Sequence, residues 1–406
     1  MTLFAAVELA PRDPILGLNE QFAADTHPTK VNLGVGVYFD DAGKLPLLAC
    51  VKAAEQQLND AAKPRGYLPI DGIVAYDKAV QRLVFGADSA VLAAGRVATV
   101  QAIGGTGGLK VGADFLKKLN PNATVLISDP SWENHRALFA NAGFPVETYA
   151  YYDAQARGVR FDAMLADLNA AATGTIVVLH ACCHNPTGYD ITPAQWDQVI
   201  AAVQARGLVP FLDMAYQGFG DGITDDGAVV QQFIASGLDF FVATSFSKSF
   251  SLYGERVGAL SVVCATQDEA ARVLSQLKIT IRTNYSNPPT HGAQVVATVL
   301  DSPVLRAQWE DELAGMRQRI KQMRALLLEK LKAALKAAGA EQDFSFITRQ
   351  RGMFSYSGLS KPQMERLRSE FGVYGVDSGR ICVAALNTGN IDHVVASIAK
   401  VLTTPA

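Results

Sequence analysis

The chain has 406 residues and a net charge of −3, with a pI near 6.1, which leaves no broad basic field for nucleic acid or anionic membrane and points to a small substrate. Hydrophobic residues make up 49% and charged residues 18%, the composition of an ordinary globular enzyme and not of a disordered chain. At this length a single core stops growing, so one large domain plus a smaller one is expected.

Near the start, M-T-L-F-A-A-V-E-L-A-P-R-D has no basic segment before its short apolar stretch, and no run elsewhere is long and apolar enough to span a bilayer. The chain therefore reads as mature, soluble protein. From about Arg96 to Val263, β-rich runs alternate with amphipathic stretches, the pattern of a mostly parallel α/β sheet. The expected strands are Val97–Ile103, Thr124–Ser128, Val146–Tyr149, Thr175–Leu179, Val209–Leu212, Phe240–Ser245 and Val257–Val263. A periodic stretch from Val304 to Ala338, preceded by Pro303, predicts one extended helix bridging two domains. Beyond it, strand-like Gly352–Tyr356, helical Lys361–Phe371, strand-like Arg380–Ala384 and helical Ile391–Leu402 predict a small α+β domain.

In such sheets ligands bind beyond the carboxyl ends of the strands, and three of those ends carry unusual residues. Q-A-I-G-G-T-G-G-L-K (Gln101 to Lys110) runs from a strand through glycines into a helix, aiming backbone N–H groups at an anion. Its spacing matches neither a P-loop nor G-x-G-x-x-G, so neither an ATPase nor a nicotinamide dehydrogenase is favoured. F-L-D-M-A-Y-Q-G-F (Phe211 to Phe219) ends a strand on Asp213, which either caps the following turn or faces a protonated ring nitrogen. S-F-S-K-S-F-S-L-Y-G-E-R-V-G (Ser245 to Gly258) sets Lys248 among hydroxyls, with Arg256 close by. By local chemistry Lys248 is either a partly buried loop residue or an amine activated to attack an aldehyde beside an anionic phosphate.

Two further segments carry polar groups. In H-A-C-C-H-N-P-T-G (His180 to Gly188), adjacent strand residues point to opposite faces and N-P-T-G signals a turn, so Asn185 outranks a Cys–His nucleophile. In W-E-N-H (Trp132 to His135), Trp132 either packs in the core or stacks on a flat ligand. No histidine has a metal partner at ligand spacing, so no metal is expected. The five cysteines, with Cys182 and Cys183 adjacent, form neither a disulfide framework nor a spaced zinc site, which fits a reducing cytoplasm.

Taken together, S-F-S-K, E-R-V-G, D-x-A-Y-Q-G-F, C-H-N-P-T-G and N-Y-S-N-P-P, in this order, resemble the class I aminotransferases, and within them the aspartate and aromatic-amino-acid aminotransferases. The resemblance covers the chain from V-N-L-G-V-G-V-Y at Val31 to G-R-I-C-V-A-A-L-N ending at Asn387. It implies the α/β type I fold of pyridoxal 5'-phosphate (PLP) enzymes, with a large, mostly parallel seven-stranded sheet domain and a small α+β domain built from both chain ends. The implied division is an N-terminal arm over 1–12, small-domain parts over 13–44 and 339–406, the large domain over 45–303 and the bridging helix over 304–338.

By the resemblance, Lys248 matches the Schiff-base lysine and Asp213 the partner of the pyridinium nitrogen. Tyr216 and Asn185 match the groups on the ring oxygen, and Trp132 the stacking aromatic. Gly105, Thr106, Ser245, Ser247 and Arg256 match phosphate-binding positions, with Tyr67 arriving from the neighbouring subunit of a homodimer. Arg380 matches the arginine for the substrate α-carboxylate, Arg282 the one reached by a distal carboxylate across the interface, and Gly36, Trp132 and Asn185 complete the substrate set. The expected substrates are amino acids and 2-oxo acids. Y-L-P-I-D-G, W-E-N-H, Phe39 and Leu45 look like the aromatic branch, whereas Asn287 and Thr106 look like the aspartate branch. The expected activity covers phenylalanine, tyrosine, tryptophan and aspartate with 2-oxoglutarate, the alternative being a dedicated aspartate aminotransferase. A dehydrogenase explains none of Lys248, Asp213 or Arg256, and a non-catalytic cofactor-binding regulator would carry a further DNA-binding segment.

Overall fold

The computed structural model describes residues 2–13 and 15–404. Seven strands rich in β-branched and aromatic residues pair into one sheet: β1 (Val97–Ile103), β2 (Val125–Asp129), β3 (Val146–Ala150), β4 (Ile176–His180), β5 (Val209–Met214), β6 (Phe240–Ser245) and β7 (Val257–Val263). Their order is β1-β7-β6-β5-β4-β2-β3. The ladders from β6 to β3 are parallel, and β7 runs antiparallel to both β6 and β1. The central strands are buried at nearly every residue, as expected of parallel strands covered on both faces. β1, β6 and β7 keep the bounds expected from sequence, while β5 runs two residues further, through Asp213.

The glycine-rich segment is not a separate turn. Helix α1 (Gly104–Leu119) begins directly after β1, because Gly104 reverses the chain at φ +67°, a conformation that costs glycine little. The helix then lies close on the sheet. A Cβ at Gly108 would stand 2.8 Å from the Ala259 carbonyl oxygen, and one at Gly112 would stand 2.6 Å from the Phe211 ring. Leu109, Phe115 and Leu116 of α1 join Val125, Ile127, Val178, Phe211, Phe241 and Leu260 in one buried cluster. This packing holds the N-terminus of α1 at the carboxyl end of the sheet.

The chain folds into two compact units. The larger comprises Leu45–Ile320 and Gln350–Gly352; the smaller comprises residues to Lys44, Lys321–Arg349 and those from Met353 onward. One helix, Pro303–Ala337, contributes to both. In the smaller unit, strands Phe354–Tyr356 and Arg380–Cys382 pair antiparallel, with helices at Lys361–Phe371 and Ile391–Thr403. The second strand stops at Cys382 because Val383–Ala385 tighten into a 3₁₀ turn. Among the described residues, no helix is long and apolar enough to cross a membrane.

The junction of β7 with α1 tolerates little change. A Cβ at Gly258 would lie 2.4 Å from the Gly104 carbonyl carbon and 2.7 Å from the Thr244 oxygen, all of it backbone. Gly258→Ala should therefore lower stability by about 1–3 kcal/mol, read as an earlier urea-unfolding midpoint; an unchanged midpoint would mean that this junction yields freely.

Candidate active site

At the carboxyl end of the larger unit's sheet lies a pocket. It is lined by Gly105, Thr106, Trp132, Asn185, Asp213, Tyr216, Ser245, Ser247, Lys248 and Arg256, which sequence reasoning named, and by Leu109, His180 and Ala215, which it did not.

Lys248 is held by its flanks. Phe246 and Phe250, two residues to either side, are 1% and 0% exposed. Phe246 packs edge-on against Tyr76, whose hydroxyl donates to the Gly258 carbonyl at 2.7 Å. Phe250 stacks on Trp309, which donates from Nε1 to the Ser249 carbonyl at 2.7 Å. The alternation of phenylalanine and serine thus buries the rings and leaves Lys248 facing the pocket, its Nζ 5.1 Å from the centre of the Tyr216 ring.

One end of the pocket is built for an anion. The first turn of α1 brings Gly105 and Thr106 against Ser245, so that a Cβ at Gly105 would meet the Ser245 Cβ at 3.0 Å. Arg256, at φ +55°, accepts the Gly104 N–H on its own carbonyl at 3.0 Å. Its Nη1 reaches Ser247 Oγ at 3.3 Å and the Tyr253 carbonyl at 3.0 Å. Helix N–H groups, hydroxyls and a guanidinium converge there, the donor set that suits a phosphate.

The other end carries a buried carboxylate. Asp213 is 7% exposed, and its Oδ2 lies 2.8 Å from Nε2 of His135, which is 0% exposed. Burial pushes the Asp213 carboxyl up, but the His135 hydrogen bond, aided by the neighbouring His135 and Lys248, brings it net below the usual carboxylate range. An anion is therefore kept where a protonated ring nitrogen would need one. His135 Nδ1 meets Ser131 Oγ at 2.9 Å, and that hydroxyl meets His180 Nε2 at 3.3 Å. The roles of His135 and His180 escaped sequence reasoning, because the ladder that sets His180 of β4 in register with Asp213 of β5 exists only in the fold.

The remaining expected residues lie elsewhere. Tyr67 is 97% exposed, and Arg282 is exposed on the last turn of helix Gln267–Asn284, donating to Ser286 Oγ; neither lines the pocket of its own chain. Arg380 and Gly36 belong to the smaller unit. There the Arg380 side chain is buried, donates from Nη2 to the Gly34 carbonyl at 2.7 Å and lies 4.4 Å over the Phe354 ring. Gly36 leaves room for the same ring, since a Cβ would stand 2.7 Å from Phe354 Cζ. A flat guanidinium fixed in this way is suited to two-pronged carboxylate recognition.

Residues 28–398 match the family model for aminotransferases of class I and II. The chain belongs to this family. The aminotransferase is 64% identical to the aspartate aminotransferase of Pseudomonas aeruginosa, over 99% of this chain and all of that one. It is 51% identical to the aromatic-amino-acid aminotransferase of Escherichia coli, over 98% of this chain and all of that one. Among solved structures it resembles the aromatic-amino-acid aminotransferase of Burkholderia pseudomallei covalently bound to pyridoxal phosphate, with a TM-score of 0.95, 67% identity and coverage of 99% and 100%. It resembles equally a Psychrobacter aromatic amino acid aminotransferase cocrystallised with aspartic acid, with a TM-score of 0.95, 48% identity and coverage of 99% and 100%. The fold of the aminotransferase is thus the type I fold of PLP-dependent transferases.

Buried histidines make stability pH-dependent. Burial, and after it the neighbouring His135, depress His180 from 6.5 to about 3, with Asp213 opposing. Its folded ring stays neutral where an unfolded one takes a proton, so the unfolded chain binds more protons between about 6.5 and 3, and stability rises with pH across that window. His180→Asn should flatten this slope by up to about 1.4 kcal/mol per pH unit, measured by urea unfolding at a series of pH values. An unaltered slope would mean that His180 is not held neutral.

Proposed function

We propose that this aminotransferase moves the amino group of phenylalanine, tyrosine, tryptophan and aspartate to 2-oxoglutarate, using PLP and working as a cytoplasmic homodimer. The observation that carries the reading is the placement of Lys248 between an anion cradle and a buried, ionised Asp213. Ser245, Ser247, Arg256, Gly105 and Thr106 would hold the phosphate, Trp132 the ring face, Asn185 and Tyr216 the ring oxygen, and Asp213 the ring nitrogen. Bound there, PLP supplies an aldehyde that carries the amino group and a ring that accepts electrons from the substrate Cα.

The chain's own groups then have distinct tasks. Asp213 keeps a proton on the nitrogen it faces, backed by His135. Arg380 would grip the α-carboxylate and so orient the substrate. Lys248 Nζ takes the Cα proton as general base and returns it as general acid. Tyr216, beside that amine, orders it and the ring oxygen. Two half-reactions on one lysine imply ping-pong kinetics.

Arg282 and Tyr67, exposed on their own chain, would serve the site of the neighbouring subunit. The exposed apolar residues Leu3, Phe4, Val7 and Leu9 support an N-terminal arm that packs on a second copy. The five cysteines, all free and buried, support a reducing compartment. The aromatic-named relatives and the apolar Phe39 and Leu45 favour a ring substrate; Arg282, Asn287 and the Pseudomonas aeruginosa relative favour aspartate. A guanidinium left buried without a partner would cost several kcal/mol, on the order of 3–5, so Arg282 must swing aside when a ring enters.

Purified protein should show a visible absorbance from its bound cofactor, and Lys248→Ala should lose both its covalent attachment and turnover. Full turnover in that variant would sink the proposal. Comparable kcat/KM for phenylalanine and aspartate is expected, whereas a preference of about a thousandfold for aspartate would leave the narrower activity of a dedicated aspartate aminotransferase. Arg282→Ala should reduce kcat/KM for aspartate by about a hundredfold while largely sparing phenylalanine, as loss of a buried charge partner costs ~3 kcal/mol; equal losses would remove the role given to Arg282.

A further inference from the structure

Beyond the pocket, one buried carboxylate organises the loop that carries Tyr216. Asp226 is 5% exposed. Its Oδ2 accepts from Gly218 N and Gly220 N, each at 2.8 Å, and its Oδ1 accepts from Asp221 N at 2.9 Å. The opposite side of the same loop is held by Arg317, whose Nη1 donates to the Gly218 carbonyl at 2.8 Å. Phe219 N closes the turn on the Tyr216 carbonyl at 3.0 Å, and Gln217 Nε2 ties its start to the Ile223 carbonyl at 3.0 Å.

The path of the chain leaves no slack. Gly218 sits at φ +95°, and a Cβ on Gly220 would lie 2.4 Å from Asp226 Oδ1. On its other side, Asp226 backs the segment that carries Asn185. The thiols of Cys182 and Cys183 and a carboxylate oxygen of Asp226 lie within 4.8 Å of one another, and His180 and Asn185, on either side of these thiols in sequence, both line the pocket. One carboxylate thus stands between the two loops that bring Tyr216 and Asn185 to the pocket.

We infer that Asp226 is a positioning residue for Tyr216: by gathering the N–H groups of Gly218, Gly220 and Asp221, it fixes the loop that sets the phenol beside Lys248. A carboxylate suits this task and an amide does not, because the three loop groups are all donors and an asparagine would turn its own N–H₂ toward at least one of them. The inference rests on the proposed part of Tyr216 in the reaction. Misplacing a reacting group by 1 Å can cost about a hundredfold in rate, so the loop needs its anchor although Asp226 touches no substrate.

A double-mutant cycle on the cofactor-loaded enzyme tests this, with Asp226→Asn, Tyr216→Phe and their combination measured for kcat, KM and the pH titration of the cofactor's visible absorbance. Asp226→Asn should lower kcat by at least about tenfold, change KM less, and move the absorbance titration in the same direction as Tyr216→Phe. The double variant should be within about twofold of Tyr216→Phe alone, since residues acting through one another are not additive. Additive losses, or a variant that merely melts earlier with kcat and absorbance titration intact, would overturn the inference. Should Tyr216→Phe itself leave kcat and the titration unaltered, the reading of the site fails instead. If Asp226→Asn does not fold, Gly220→Ala, whose new Cβ displaces the carboxylate from outside, is judged by the same criteria.

Discussion

A carboxylate inside a protein must be paired or it takes up a proton, and the large unit of this enzyme is arranged around that constraint. Asp213 stands near the end of a central strand, hidden from water, with His135 2.8 Å away. The pair demands that helix Glu133–Asn141 begin where it does, since Trp132, Ser131 and His135 enter the site together at its first turn. His180, in register across the ladder, is held neutral chiefly by its burial, with Asp213 opposing.

Against this fixed charge the anion cradle supplies the opposite pole. α1 can aim its N–H groups into the pocket only because glycines let it lie against β7 and Phe211. The lysine loop can remain open at Lys248 only because Phe246 and Phe250 are locked against Tyr76 and Trp309. Packing at a distance is therefore what turns a hydroxyl-rich loop into a site.

Much of this was legible in the chain. Continuous apolar runs marked the strands, since parallel strands buried on both faces need them, and the residues at their ends marked the pocket. Local chemistry alone left Lys248 and Asp213 each with two readings, and the joint motifs resolved them into a family pattern. What was not legible depended on elements meeting in space. His135 becomes the partner of Asp213 only once a strand and a helix start are brought together, and Asp226 looks like one of several acids after a glycine-rich turn until its three donors fold onto it. The glycine-rich turn proved to be a helix start because Gly104 adopts a positive φ, which sequence spacing does not reveal.

The reversed strand β7 has a consequence for when the anion cradle comes to exist. Gly105 follows β1, Ser245 ends β6 and Arg256 precedes β7, so the cradle exists only after segments from distant parts of the chain have zipped side by side, with the first of them waiting for the last. Pairings of such long sequence separation form late. A ligand gripped there binds the completed topology and not its precursors, and by mass action it draws the folding equilibrium toward that state. Ligand binding there is thus a check on assembly: a chain whose sheet has mispaired has no such cradle.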